Sequence, residues 1–330
     1  MFKKVCLLMA LSGTAAAPAA PADPEDFVKL GEERVDMNRF KGVFPPHIKC
    51  IAVLTPASVP NGEKMRLGVQ MLERAGIKVK VMPNTYAKVP KGKKSIPLPK
   101  RLSDFLAAWN DPEVDLILPT RGGSGAQQIP PKVDWDQLRK RKVILMGYSN
   151  ITCLTGPMFS QKAGYPIQGP NLGSLVSCDD ASLRHLKALL AGEVPEPVKL
   201  TALREGDVSG MVYAGHMALL LQVQKSPFKV DTTGRILFIE CVRRPEKELK
   251  RVFNALKKLG FFEKCAGVVF CHFTRNFPDE ESRMNFFKWM TSQLKCPVYY
   301  GYPYGHEPGI RALDFQRKAV IKNGVVTFEK

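Results

Sequence analysis

Residues 142–150 read KVILMGYSN. Four apolar residues, Val143 to Met146, run without interruption into Gly147-Tyr148-Ser149, and a helix-like segment, Ile151 to Lys162, follows. An unbroken apolar run of this length is what a strand buried on both faces of a parallel sheet requires. The glycine then turns the chain, which places Ser149 at the strand-to-helix junction, where open α/β sheets put their sites. The same grammar recurs upstream. CIAVLTPAS from Cys50, IKVKVMP at 77–83 and VDLILPT at 114–120 read as strands. Between them, Glu63 to Ala75 has Met65, Val69 and Leu72 at helical spacing, with Gly76 closing the helix, and Leu102 to Trp109 reads as a second helix. The alternation indicates an α/β fold with a mostly parallel sheet.

Downstream the pattern loosens. Residues 166–205, with a helix over Asp180–Leu190 and the segment GEVPEP, read as a bridge between domains. Residues 206–238 read as several strands. Glu246 to Leu259 is an amphipathic helix with Leu249, Val252, Phe253 and Leu256 on one face. AGVVFCHF and CPVYYG read as strands, and KAVIKNGVVTFEK as a hairpin turning at Asn323-Gly324. The expected organisation is a leader over 1–17, a lead-in over 18–47, an α/β domain carrying Ser149 over 48–165, the bridge, and a second, mixed α/β domain over 206–330.

The leader is read from its layout. Lys3 and Lys4 precede the apolar stretch Val5 to Leu11, and Ala15-Ala16-Ala17 offers a small-residue cleavage site before Pro18. This predicts export, to the periplasm or elsewhere in the cell envelope, with the mature chain beginning near Pro18. No run of about 20 apolar residues exists, so no integral membrane segment is expected after leader cleavage. Lys and Arg number 49 against 31 acids, a net charge of +18, or +16 without the leader. Such charge suits an anionic polymer or surface. Nucleic acid is not expected as a partner, because the runs KGKK, RKRK and KKLG lack interleaved aromatics and no binding motif accompanies them. Seven cysteines follow the leader, an odd number without CxxC spacing, so neither a disulfide framework nor a zinc site is expected.

Four segments carry chemistry. Ser149 suits a helix N-cap, and it also suits a nucleophile on a tight turn. Thr120 to Gly125, TRGGSG, follows a strand, and its glycines allow close backbone approach to a ligand. Gly123 is the preferred backbone oxyanion donor there, with Gly122 beside it; Arg121 is placed either to support the loop or to hold a carboxylate, a role that Arg243 could fill as well. Glu240 ends the apolar run RILFIE. An acid in such a place needs a partner, either a histidine or an arginine such as Arg243 or Arg244. His306 lies in the aromatic, glycine-rich loop PVYYGYPYGHEPG and is the best-placed general base of five histidines. His185, between Arg184 and Leu186, reads as a surface residue, and His272 as core or site rim. No His or Cys cluster has metal-ligand spacing, so no metal or other cofactor is expected.

The order Ser149, Glu240, His306, with Arg121 to Gly125 ahead of them, resembles the LD-carboxypeptidase family of serine peptidases, which includes the microcin C immunity peptidases. The family's Gly-aromatic-Ser elbow is matched at Gly147 to Ser149, its apolar strand ending in glutamate at Glu240, and its Gly-x-Pro-x-Gly-His loop at Gly301 to His306. The resemblance runs from about Ile48 to Val326. It implies a flavodoxin-like first domain bearing the serine, and a second domain bearing the glutamate and histidine. It further implies a cleft site, a homodimer, and removal of a terminal D-amino acid after an L-centre in murein peptides. Ser149, Glu240 and His306 would be catalytic, and Gly123 and Asn150 would supply oxyanion N–H groups. Arg121, Gly122, His216, Arg243 and Tyr304 would contact substrate. Such enzymes are usually cytoplasmic, whereas the leader points outward.

The chain departs from the family pattern at Asn150 (usually Asp), Cys241 (commonly an acid), Ala214-Gly215-His216 (usually Gly-Gly-Asn) and Leu313-Asp314-Phe315-Gln316. These differences bear on substrate identity more than on reaction class. Competing readings are a peptidase for another amide, such as a peptide–nucleotide stacked on Tyr148, Tyr300, Tyr302 or Tyr304, a murein-binding module without catalysis, and a two-lobed small-ligand binding protein.

Overall fold

The computed structural model describes residues 27–30 and 33–329. The leader over 1–17, its cleavage site and Cys6 lie outside the described residues. β1 (Phe27–Leu30) and β2 (Glu33–Asp36) pair antiparallel ahead of the main body.

The first sheet is built from β3 (Cys50–Leu54), β4 (Lys78–Val81), β5 (Leu116–Pro119), β6 (Ile144–Met146) and β7 (Tyr165–Gln168), all parallel, in the order β4-β3-β5-β6-β7. This is the flavodoxin-like order, in which the winding reverses between the first and third strands of the set, here β3 and β5. β3 and β5 are buried at every position, which explains their unalternating apolar text. The helix Gly62–Arg74 begins where the Asn61 side chain accepts from the Glu63 and Lys64 amides, and it buries Met65, Leu67, Met71 and Leu72 against the sheet. Residues 165–168, at the start of the expected bridge, are a full strand of this sheet.

The second sheet takes β8 (Val198–Lys199), β9 (Thr201–Arg204), β10 (Val208–His216), β11 (Arg235–Val242), β12 (Gly267–Thr274) and β13 (Val298–Tyr300), and the chain then gives β14 (Leu313–Asp314), β15 (Lys318–Lys322) and β16 (Val325–Phe328). Its order is β8-β16-β15-β10-β11-β12-β13-β9, while β14 returns to pair antiparallel with β7 and ties the two sheets together. β10 to β13 are mutually parallel, and the flanking strands are antiparallel. Only Leu200 separates β8 from β9, yet they stand at opposite edges. One residue spans about 3.5 Å, so the sheet curls until its edges nearly meet, close to a barrel. The architecture is thus two α/β units, the second mixed, as the sequence leads one to expect.

Two local differences have clear causes. Within 206–238, Met217–Gln224 (MALLLQVQ) is a helix, not a strand. It buries five of its eight residues and exposes only Gln222, so its polar face is too narrow to give a readable period. His185 is buried, not on the surface. It shares the inward face of helix Asp180–Leu190 with Ser182, Leu186 and Leu189, and its Nε2–H donates to the Ala312 carbonyl at 2.9 Å. Its charged neighbour Arg184 points elsewhere, which is what three-residue sequence context conceals. The Asn323-Gly324 turn forms as expected, both residues at positive φ between paired Lys322 and Val325. All seven cysteines of the described residues are free thiols. No helix among the described residues is long and apolar enough to cross a membrane.

Burial lowers the His185 pKa from 6.5 to about 4. The unfolded chain binds a proton over that interval and the folded one does not, so stability is lost as pH falls from about 6.5 towards 4. Denaturant titrations should register a decline on the order of 3 kcal/mol from this source, and His185→Leu should remove that share of the pH dependence.

Candidate active site

The end of β6 sets the geometry. Gly147 has no room for a side chain, because a Cβ there would stand 2.7 Å from Asn171 Oδ1 and 2.9 Å from Ile151. The chain therefore turns sharply, and Ser149 takes φ +60°, a region that costs a non-glycine residue about 1 kcal/mol or more. An N-cap residue has extended backbone. Ser149 does not cap the helix, and its hydroxyl is thrust into the cleft. From the second unit, His306 Nε2 lies 3.1 Å from Ser149 Oγ, and His306 Nδ1 lies 2.9 Å from Glu240 Oε2. Nδ1–H donates to the carboxylate, which leaves Nε2 to accept the serine proton. The Tyr148 ring packs on the imidazole at 4.9 Å between centroids.

Glu240 is fully buried near the end of β11, opposite His216 of β10, just past a bulge after Ile239. It makes no ion pair with Arg243 or Arg244; Arg244 instead reaches Glu248 at 2.9 Å. Burial pushes the Glu240 carboxyl up, but His306, His216 and the His306 hydrogen bond together outweigh it and hold the group below its usual range. Gly305 makes the approach possible. A Cβ there would meet His272 at 2.9 Å and Glu240 at 3.2 Å, so a side chain would lift His306 off the strand.

The glycine loop lies against the serine. A Cβ on Gly122 would stand 2.8 Å from Ser149 Cβ and 3.2 Å from the Asn150 amide nitrogen. Gly123, at φ +113°, passes as closely over Ser58. Sequence reasoning missed what holds this loop. Ser58 Oγ accepts from the Ser124 amide at 3.1 Å, and Asn150 Oδ1 accepts from the Ala126 amide at 2.9 Å. The buried Arg101 guanidinium donates to the carbonyls of Gly125 (2.7 Å), Pro56 (2.8 Å) and Ile96 (2.7 Å). Arg101 shares the inward face of its helix with Phe105 and Ala108, a charged residue at an apolar period, which was the readable signal.

Ser149 and His306 sit where two cavities meet. A smaller one of about 260 Å³ runs under Gly122, Tyr148 and Ser174, and a larger one of about 580 Å³ runs past His216, Arg243 and Arg275. Arg121 borders both. His216 is buried at the wall of the larger cavity, 6.2 Å from the His306 ring, with Nε2 3.7 Å from Cys241 Sγ and Nδ1 without a hydrogen bond. Burial pushes its pKa down, so it is neutral near pH 7. Tyr304, expected to touch substrate, lines neither cavity. It is fully buried, and its hydroxyl donates to Gln168 at 2.7 Å. Tyr302 is equally buried, so neither of these two offers a face for stacking, whereas Tyr148 lines the smaller cavity. His272 is at the site's rim, 3.8 Å from Glu307.

The arrangement can deprotonate a hydroxyl beside backbone amides, the chemistry of acyl transfer. The LD-carboxypeptidase N-terminal domain model matches residues 51–167, and the C-terminal domain model matches residues 209–321. A probable murein peptide carboxypeptidase of Bacillus subtilis is 30% identical, over 72% of this chain and 79% of its own length. The microcin C7 self-immunity protein of Escherichia coli is 24% identical, over 65% of this chain and 72% of its own. Among solved structures, the muramoyltetrapeptide carboxypeptidase of Oxalobacter formigenes superposes with TM-score 0.75 at 19% identity, covering 85% of this chain and 98% of its own.

Gly122→Ala puts a methyl into the serine and the amide behind it. Acylation by a small activated ester, followed as a stopped-flow burst, should slow by about 100-fold or more, the scale of losing one oxyanion contact, in a protein that still unfolds cooperatively at a lower melting temperature.

Proposed function

The chain belongs to the LD-carboxypeptidase family, and we propose that Ser149, His306 and Glu240 are its catalytic triad. Serine-type carboxypeptidase activity on peptide substrates follows from the family. The one observation that carries the residue assignment is the continuous path from Glu240 through His306 to Ser149, with contacts of 2.9 Å and 3.1 Å.

In this reading His306 Nε2 takes the Ser149 proton as Oγ attacks the carbonyl carbon of the scissile amide. Glu240 steadies the imidazolium that forms. The backbone N–H groups of Gly123 and Asn150 hold the oxyanion, and the Asn150 side chain keeps the glycine loop in register. The imidazolium then protonates the leaving amine. Water, deprotonated by the same histidine, releases the acyl group from the serine. The smaller cavity receives the departing terminal residue, whose carboxylate pairs with Arg121, and the larger receives the acyl portion.

The substrate class this supports is a peptide or amide with a free carboxylate next to a small terminal residue. The bond from an L-centre to a terminal D-alanine in murein peptides is one member. The alternative is the amide joining a peptide to a nucleotide, in which the nucleotide takes the place of the terminal residue as the leaving group. The leader and the positive charge favour a cell-envelope location, and the family resemblance favours a homodimer.

Purified protein incubated with murein tetrapeptide should release D-alanine, with a peptidyl nucleotide as the second arm. S149A and H306A should be slower by at least about 1,000-fold on whichever substrate is cleaved. A serine variant as fast as wild type would overturn the assignment.

A further inference from the structure

Seven thiols lie among the described residues, and two of them meet. Cys265 Sγ and Cys296 Sγ are 3.6 Å apart. Others face different partners. Cys153 turns to Gln222, Cys241 to His216, and Cys271 to the Val269 carbonyl. Burial explains a single cysteine, which packs as a small apolar side chain. It does not explain two sulfurs brought together from segments 31 residues apart in the chain.

The backbone sets the meeting. Cys265 precedes β12 and Cys296 precedes β13, and these strands run parallel with Val268 opposite Val298. Carried back two residues, the register puts Ala266 opposite Cys296 and Cys265 one step along. That diagonal spans about 6 Å, inside the Cα separation of about 4.4–6.8 Å that a disulfide bridges. Both segments are held in place. The Ala266 amide, next to Cys265, donates to the Arg235 carbonyl at 2.8 Å. Arg204 on β9 donates to the carbonyls of Thr291 (3.0 Å), Leu294 and Cys296 (3.3 Å). Cys265 is buried, whereas Cys296 is partly exposed, so an oxidant reaches the pair from the Cys296 side. Cys296 is also the thiol that ionises first. Its hydrogen bond with Cys265 and the nearby Arg204 guanidinium lower its pKa, while the same hydrogen bond and burial push Cys265 up.

We propose that Cys265 and Cys296 are a modification site, joined as a disulfide in the mature protein. The Cys296 thiolate attacks one sulfur of an oxidant disulfide, either a small-molecule disulfide or that of a dithiol oxidase. The oxidant's S–S bond breaks, and one of its sulfurs leaves as a thiolate and takes up a proton. Cys265 gives its proton to solvent and attacks Cys296 Sγ, which forms the internal bond and expels the oxidant's second thiolate. Two protein thiols are oxidised and one disulfide is reduced to two thiols. The bond closes β12, the helix Glu280–Ser292 and β13 into one loop, which removes freedom from the unfolded chain. β12 is eight residues long, and Thr274 at its far end borders the larger cavity. The bond therefore lies about 25 Å from the candidate site and acts on stability. The cell envelope, where the leader would send the chain, is a compartment in which such bonds persist.

The test equilibrates purified protein with equimolar reduced and oxidised glutathione, blocks it with N-ethylmaleimide in denaturant and maps the peptides by mass spectrometry. The expected product is a single linked pair, Cys265 with Cys296, with Cys50, Cys153, Cys178, Cys241 and Cys271 alkylated. Oxidised protein should melt about 5 °C or more above protein reduced with dithiothreitol. C265A/C296A should melt at one temperature in both buffers. C296A alone, at the more exposed position, should lose the link and the gain together even where the double variant folds poorly. Alkylation of both Cys265 and Cys296 in the glutathione mixture, or linkage of either to a different cysteine, overturns the proposal, as does a melting gain that survives in C296A.

Discussion

His306 joins the two halves of the candidate site, one on each sheet. Its imidazole is bonded to a carboxylate of the second sheet and reaches a hydroxyl at the end of a strand of the first. Each half of that bridge is costly alone. Glu240 is a fully buried anion, and losing its hydrogen-bond partner would leave a charge that typically destabilises a fold by about 3–5 kcal/mol. Ser149 holds a backbone conformation that only surrounding structure can enforce. β14, leaving the second sheet to pair with β7, fixes the relation between them. The fold thus sets the distance on which the chemistry depends.

Around the bridge, close backbone approach replaces side chains. Gly122, Gly147 and Gly305 each occupy a place where a Cβ would strike a neighbour at or below 3.0 Å. The loops they belong to contribute amides and a correctly hung imidazole, and Ser58, Arg101 and Asn150 lock the glycine loop from behind. Asn150 also shows why an acid at that position is dispensable. Its amide oxygen accepts the Ala126 N–H as a carboxylate oxygen would, without burying a charge.

Much of this was legible beforehand. The parallel strands announced themselves through unbroken apolar runs, and Ser149, Glu240 and His306 through their places at strand ends and in a glycine-rich loop. What was not legible depended on packing across distance. The helix Met217–Gln224 exposes only Gln222 and gives no readable period. His185 owes its burial to residues one turn away, not to Arg184 beside it. Tyr304 sits in a loop rich in functional residues, yet turns inward to Gln168. The meeting of Cys265 with Cys296 arises only when β12 and β13 are set in register.

The most direct test of the bridge is covalent. A small fluorophosphonate reacts only with a serine whose proton has somewhere to go, and peptide mapping by mass spectrometry locates the adduct. The account predicts a single modified residue, Ser149, with labelling slowed by at least about 100-fold when Glu240→Gln removes the charge that sets the histidine tautomer. Modification at a different serine, or labelling of Ser149 as fast in the glutamine variant as in wild type, would contradict it.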